Sequence, residues 1–177
     1  TMQWQEGPAL PVDMHQPCTV LITPTSFLAI EVTDIRELDA AISGPTSSKG
    51  WREAGIWPAL KTSRTHQPGC AKIGQKVIIA GGFNGGDLSS TEVLDLVNRR
   101  ITSEGEMTTP RNYFHVTTIT RGGHRKVFAL AGRDSSTLST VEEWVEESST
   151  WKAADNLAEE RTRFGAVAVP LELICPT

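Results

Sequence analysis

Short apolar runs alternate with turn residues along most of the chain. In KVIIAGGFNGGD, residues 76–87, an apolar run meets four glycines. The next stretch, LSSTEVLDL, is short and rich in Ser, Thr and Val. That pattern predicts a turn into another strand, not a helix. KVFALAGR, residues 126–133, repeats the first pattern. Val77 and Val127 are 50 residues apart, and Gly82 and Gly132 share that offset. So do Glu92 and Glu142, Leu94 and Trp144, Ile101 and Trp151, Arg111 and Arg161, and Phe114 and Phe164. Trp51 precedes Ile101 by 50 residues as well, and Trp4 precedes Trp51 by 47.

A period of this size marks a repeat architecture. Inside each unit the order is constant: an Arg before a strand, a strand ending at Gly, a strand carrying Glu, and a strand at a Trp position. Four short strands per unit is the make-up of one propeller blade. Gly82 and Gly132 are expected where the chain leaves the sheet sharply, because glycine accepts positive φ. The tryptophans are expected to fill the space between neighbouring units, which cannot bury both faces alone. Length differences fall between strands: Trp51 to Arg64 spans 13 residues, against 10 from Ile101 to Arg111 and from Trp151 to Arg161.

This order resembles the Kelch repeat. The resemblance rests on Gly81-Gly82, Glu92, Ile101, Arg64 and Arg111, then on Ala131-Gly132, Glu142, Trp144 and Trp151, and covers about residues 60–169. The unit at 13–51 departs from it, with FLAIEV where Gly-Gly belongs and Asp13 where Arg belongs. The fold class expected is all-β: a partial Kelch-type β-propeller of about three full blades plus a shared or incomplete blade. Residues 1–177 are read as a single domain, with repeats at 13–60 (degenerate), 61–110 and 111–160. Residues 1–12 and 161–177 are read as strands of the shared or incomplete blade. Three closures compete: a fragment of a longer propeller, a ring built by two chains, or a small closed ring. Completion by a second chain is favoured, because it hides open blade faces.

Composition narrows the function. The formal net charge of −4 argues against a dedicated nucleic-acid binder, which would carry a basic stripe. No run of about 18 apolar residues is present to span a membrane. The start TMQWQEGPALP has neither the basic segment nor the apolar core of a signal peptide. Cys18, Cys70 and Cys175 are odd in number and widely spaced, so free buried thiols and a cytoplasmic location are expected. The glycines at 81, 82, 85 and 86 fit neither G-x-G-x-x-G nor a P-loop, which weakens a phosphate site.

Catalytic motifs are weak. No G-x-S-x-G elbow occurs, and Glu143 and Glu147 are expected to be solvated. Some Kelch-type propellers are copper radical oxidases, but this chain has one tyrosine, Tyr113. His66 and His115 follow repeat arginines and are expected on one strand face, with His15 in the matching strand. They carry the alternative reading: an enzyme or small-ligand or metal-binding propeller with a site in the central channel. Arg64, Arg111 and Arg161 are expected to hold loop carbonyls or a repeat Glu such as Glu92 or Glu142. The first reading is a non-catalytic scaffold without cofactor or metal, binding another protein through loops on one face. The resemblance places those loops after the second strand (Asn84, Asp87, Ser89, Arg133, Asp134, Ser135) and before the first (Arg111, Asn112, Arg163). Their chemistry suits an acidic or polar peptide segment, and a homodimer could complete the ring.

Overall fold

The structure, a computed structural model, describes residues 13–39, 50–52, 55–121 and 123–169. These residues form eleven strands and no helix. No helix is therefore long and apolar enough to cross a membrane. The strands make three antiparallel sheets, each a simple meander. Sheet 1 holds β1 (Cys18–Leu21), β2 (Ser26–Glu31) and β3 (Asp34–Asp39). Sheet 2 holds β4 (Gly69–Ile73), β5 (Lys76–Ala80), β6 (Thr91–Asp95) and β7 (Arg100–Glu104). Sheet 3 holds β8 (His115–Arg121), β9 (His124–Asp134), β10 (Ser136–Val145) and β11 (Thr150–Ala154).

The repeat period places residues in equivalent positions. Val77 pairs with Leu94, and Val127 pairs with Trp144. Leu94 pairs with Ile101, and Trp144 with Trp151. In sheet 1, among the described residues, the place of the fourth strand is marked by a bridge between Leu38 and Trp51. Trp51 thus stands where Ile101 and Trp151 stand in the other sheets. Trp4 lies outside the described residues.

Two apolar layers join the sheets. Cys18, Val20, Leu28 and Ile30 of sheet 1 meet Cys70, Val77, Ile79 and Leu94 of sheet 2. Ala71, Ile73, Ile78 and Val93, from the other face of sheet 2, meet Val116, Val127, Trp144 and Trp151 of sheet 3. The alternation along each strand sends successive side chains to opposite faces. Sheet 2 is apolar on both faces because it has a neighbour on each side.

Arginine and glutamate lock the second and third units. Arg64 donates to Glu92 Oε1 and to the carbonyls of Gly81 and Ser90. Arg111 repeats this with Glu142 and the carbonyls of Ala131 and Thr140. Each glutamate also accepts two consecutive backbone N–H groups, from Lys61 and Thr62 or from Thr108 and Thr109. Both arginines are 0 % exposed. Burial pulls each guanidinium below its ordinary pKa, and the paired glutamate opposes that shift. The predicted alternatives, a loop carbonyl or a repeat glutamate, are both realised by each residue. Arg161 instead lies at the surface, bonded to Glu159.

The glycines tie one sheet to the next. The Gly82 N–H donates to the Arg111 carbonyl, and the Gly132 N–H to the Arg161 carbonyl. Their φ values are 92° and 98°. In the first unit Val32 does the same work: its N–H donates to the Arg64 carbonyl at φ 58°. The degenerate unit keeps the backbone geometry and tolerates a β-branched residue in it.

One expectation is corrected. Cys18 and Cys70 are not free thiols; they form a disulfide with Cα atoms 5.9 Å apart. They lie on β1 and β4, the first strands of neighbouring sheets, which brings them side by side across the apolar layer. Cys175 lies outside the described residues. Residues 164–169 form no strand. A first strand needs a second to pair with, and residues 170–177, where that would follow, are not described.

Candidate partner-binding site

The segment after each repeat arginine makes a tight turn, which in the second and third units leads into the first strand. The second residue past the arginine is His66, Tyr113 or Arg163, with φ 54°, 48° and 54°. Non-glycine residues resist this left-handed conformation by about 1–2 kcal/mol each. Here a backbone ladder holds all three. The Tyr113 N–H donates to the His66 carbonyl at 3.0 Å, and the Arg163 N–H to the Tyr113 carbonyl at 2.9 Å. Three successive units therefore present equivalent residues side by side.

Their side chains stack. The His66 and Tyr113 rings meet edge to face with centroids 5.4 Å apart, and His66 meets Phe83 the same way at 4.8 Å. The Arg163 guanidinium sits 4.5 Å from the Tyr113 ring centroid, a cation–π contact. Thr65 Oγ1 lies 2.9 Å from His66 Nδ1 and holds the imidazole from behind. The loops after the second strands close the other side. Phe83 bridges Thr65, and Arg133 bridges Asn112, in matching positions. The result is a cavity of about 240 Å³ with an aromatic floor and a basic rim.

Five of the nine sequence-predicted residues line this cavity: Asp87, Asn112, Arg133, Ser135 and Arg163. Asn112 donates through Nδ2 to Asp87 Oδ1, linking the loop of sheet 2 to the turn of sheet 3. Its Oδ1 is buried and accepts no hydrogen bond. Arg133 and Arg163 are exposed. The remaining four lie elsewhere. Asn84 is at an exposed loop tip, with its N–H bonded to the Gly86 carbonyl. Ser89 donates to Glu106 at 2.7 Å. Asp134 is half-buried at the end of β9. Arg111 is wholly buried in its glutamate pair and presents no group to solvent.

Sequence reasoning missed His66, Phe83 and Tyr113 as members of this cavity. The available signal was their phase: two residues past each repeat arginine, or one past the glycine. The histidines do not share a strand face. His66 lies in its turn, His15 lies outside any strand, and His115 opens β8. His66 and His115 line different cavities. Burial lowers the His115 pKa, so the neutral ring is favoured there. Among the described residues no group of three His, Cys, Asp or Glu side chains is placed to hold a metal ion. Glu143, expected to be solvated, is half-buried on β10 beside Lys126 of β9 and Lys152 of β11, and the Lys126 hydrogen bond holds it below the usual carboxylate range.

No protein-family model matches the chain, and no curated protein matches it.

Proposed function

We propose that this chain is a set of Kelch-type propeller blades that binds another protein and performs no chemistry. The observation that carries the reading is the rim cavity. Three repeat-equivalent turns converge there, with Arg133 and Arg163 over an aromatic floor of Phe83, His66 and Tyr113. Exposed guanidinium groups beside aromatic faces suit a carboxylate-bearing peptide segment, which they can hold by charge-assisted hydrogen bonds. Asp87, tied to Asn112, adds one acceptor that selects for a donor on the ligand.

Binding of an acidic peptide library, with charge-neutral sequences as controls, tests the reading. Acidic members should be retained. The Arg133→Ala, Arg163→Ala double variant should weaken them about tenfold or more, with unchanged thermal stability. Equal retention of neutral peptides, or full affinity in the double variant, would defeat it. Tightly bound stoichiometric metal in the purified protein would instead revive a channel site near His66 and His115.

The same reading extends to assembly. Ile73 and Ile119 are the fifth residues of β4 and β8. Ile73, covered by sheet 3, is 6 % exposed; Ile119 is 42 % exposed. A second copy laid against sheet 3 would bury Ile119 as sheet 3 buries Ile73, completing a ring from two chains. Light scattering decides this: a dimer supports it and a monomer does not. The cytoplasmic expectation lost its basis in free thiols once Cys18 and Cys70 were found joined, since disulfides persist where thiols are not continually reduced.

A further inference from the structure

A second cavity, of about 270 Å³, opens against the first strands of all three sheets. Both half-cystines of Cys18–Cys70 line it, together with Thr19, Gln67, His115 and Phe164. The disulfide thus lies at the boundary of the apolar layer: both half-cystines are buried, 8 % and 6 % exposed, yet both line a solvent-open space. It also has an unusual mechanical position. It joins β1 to β4, and so sheet 1 to sheet 2, across 52 residues of chain. Among the described residues, sheet 1 shows no counterpart of the wholly buried Arg–Glu pair that each of the other units holds. Its own charged contacts, Arg52 with Glu37 and Asp39, lie at its outer edge, with the Arg52 side chain 39 % exposed.

We propose that Cys18–Cys70 is a thiol-exchangeable clamp, and that its reduction by a small thiol of the glutathione type loosens sheet 1 from sheet 2. The thiol, as thiolate, attacks one sulfur of the disulfide from the cavity. A mixed disulfide forms there, and the other cysteine leaves as a thiolate that takes a proton from water. A second thiolate attacks the mixed disulfide at the sulfur of the small thiol. It releases the external disulfide and the remaining cysteine thiolate, which is protonated in turn. Two small thiols are oxidised to one disulfide, and Cys18 and Cys70 are reduced by the same two electrons. Sheets 2 and 3 stay joined, because the apolar layer between them and the Gly82 N–H bond to the Arg111 carbonyl involve neither cysteine.

The test uses the whole chain, purified under oxidising conditions, in glutathione buffers of graded ratio without denaturant. Alkylation and mass spectrometry read the thiols of Cys18 and Cys70, and hydrogen exchange reads each strand. The expected result is reduction of the native protein through a glutathione adduct, with exchange in β1–β3 rising about tenfold or more and β4–β11 little changed. Reduction that occurs only after global unfolding would overturn the proposal. So would reduction that leaves β1–β3 protected, or alkylation of Cys18 and Cys70 in the oxidised preparation. Cys70→Ser should match the reduced protein; reoxidation of the wild type, restoring β1–β3 protection, gives the same answer independently of how that variant folds.

Discussion

The first and second units share a chain path and differ in what holds it. In the second, Arg64 and Glu92 sit buried together and fasten two backbone carbonyls and two backbone amides at once. In the first, Glu31, at the end of the second strand where the other units have Gly81 or Ala131, accepts two consecutive N–H groups from His15 and Gln16, and no buried arginine meets it among the described residues. Glu37 instead takes Trp57 Nε1 and Arg52 at a partly open edge. A disulfide supplies the remaining constraint. One backbone arrangement can thus be secured by a buried charge network or by a covalent link. What the repeat preserves is the geometry of the N–H and C=O groups, which must be satisfied wherever they are buried.

The largest test of that contrast is removal of one buried charge. Arg64→Ala or Arg111→Ala leaves a carboxylate buried without its partner and should cost about 3–5 kcal/mol in urea unfolding. Arg52→Ala in the first unit, where the pair is partly exposed, should cost about 1 kcal/mol or less. Equal losses would show that the two units are not held differently. The Cys18→Ser, Cys70→Ser double variant should lose about 2–4 kcal/mol, mainly by freeing the unfolded chain. A loss in sheet 1 without a matching loss in sheet 3, seen by hydrogen exchange, would sharpen the comparison.

The glycine position gives a smaller and two-sided test. Val32→Gly should stabilise by about 1 kcal/mol, because it relieves a left-handed β-branched residue. Gly132→Ala should destabilise by about 1–3 kcal/mol, since its new Cβ would run into Phe114 and the Asn112 carbonyl. If both changes moved melting the same way, Val32 and Gly132 would not be equivalent.

The smallest effect is a pH dependence. Burial depresses the folded-state pKa of His115 below its unfolded value near 6.5. The unfolded chain then binds the proton first on acidification. The stability contribution is fully present above that unfolded value and fades as pH falls through the lower folded one. His115→Gln should flatten this part of the stability profile between neutral pH and the carboxylate range.

Strand identity was legible because its signal is local. Apolar runs such as residues 77–80 and 127–130, bounded by turn residues, can form half-buried strands and little else. The equivalence of Val77 with Val127 followed from the period, and so did the carbonyl and glutamate acceptors of Arg64 and Arg111, though not the burial that withdraws Arg111 from a partner. The rim cavity was only half legible. Arg133, Arg163, Asp87, Asn112 and Ser135 were found as loop residues, whereas His66 and Tyr113 look in sequence like the start of a strand. Their left-handed φ values depend on hydrogen bonds to other units, which no local pattern records.

The cysteines draw the same boundary. A separation of 52 residues lies close to the 50-residue period, and residues one period apart sit on adjacent sheets. Proximity was therefore implied by the repeat. Whether the two side chains face each other depends on strand register, because a shift of one residue sends a side chain to the opposite face. The sequence by itself determined the strands, their order and the period, because each rests on short-range sterics and alternation. Only the tertiary structure decided which residues one period apart would touch, and therefore the disulfide, the stacked rim and the arginine buried rather than offered, because contact across sheets is settled by register and packing together.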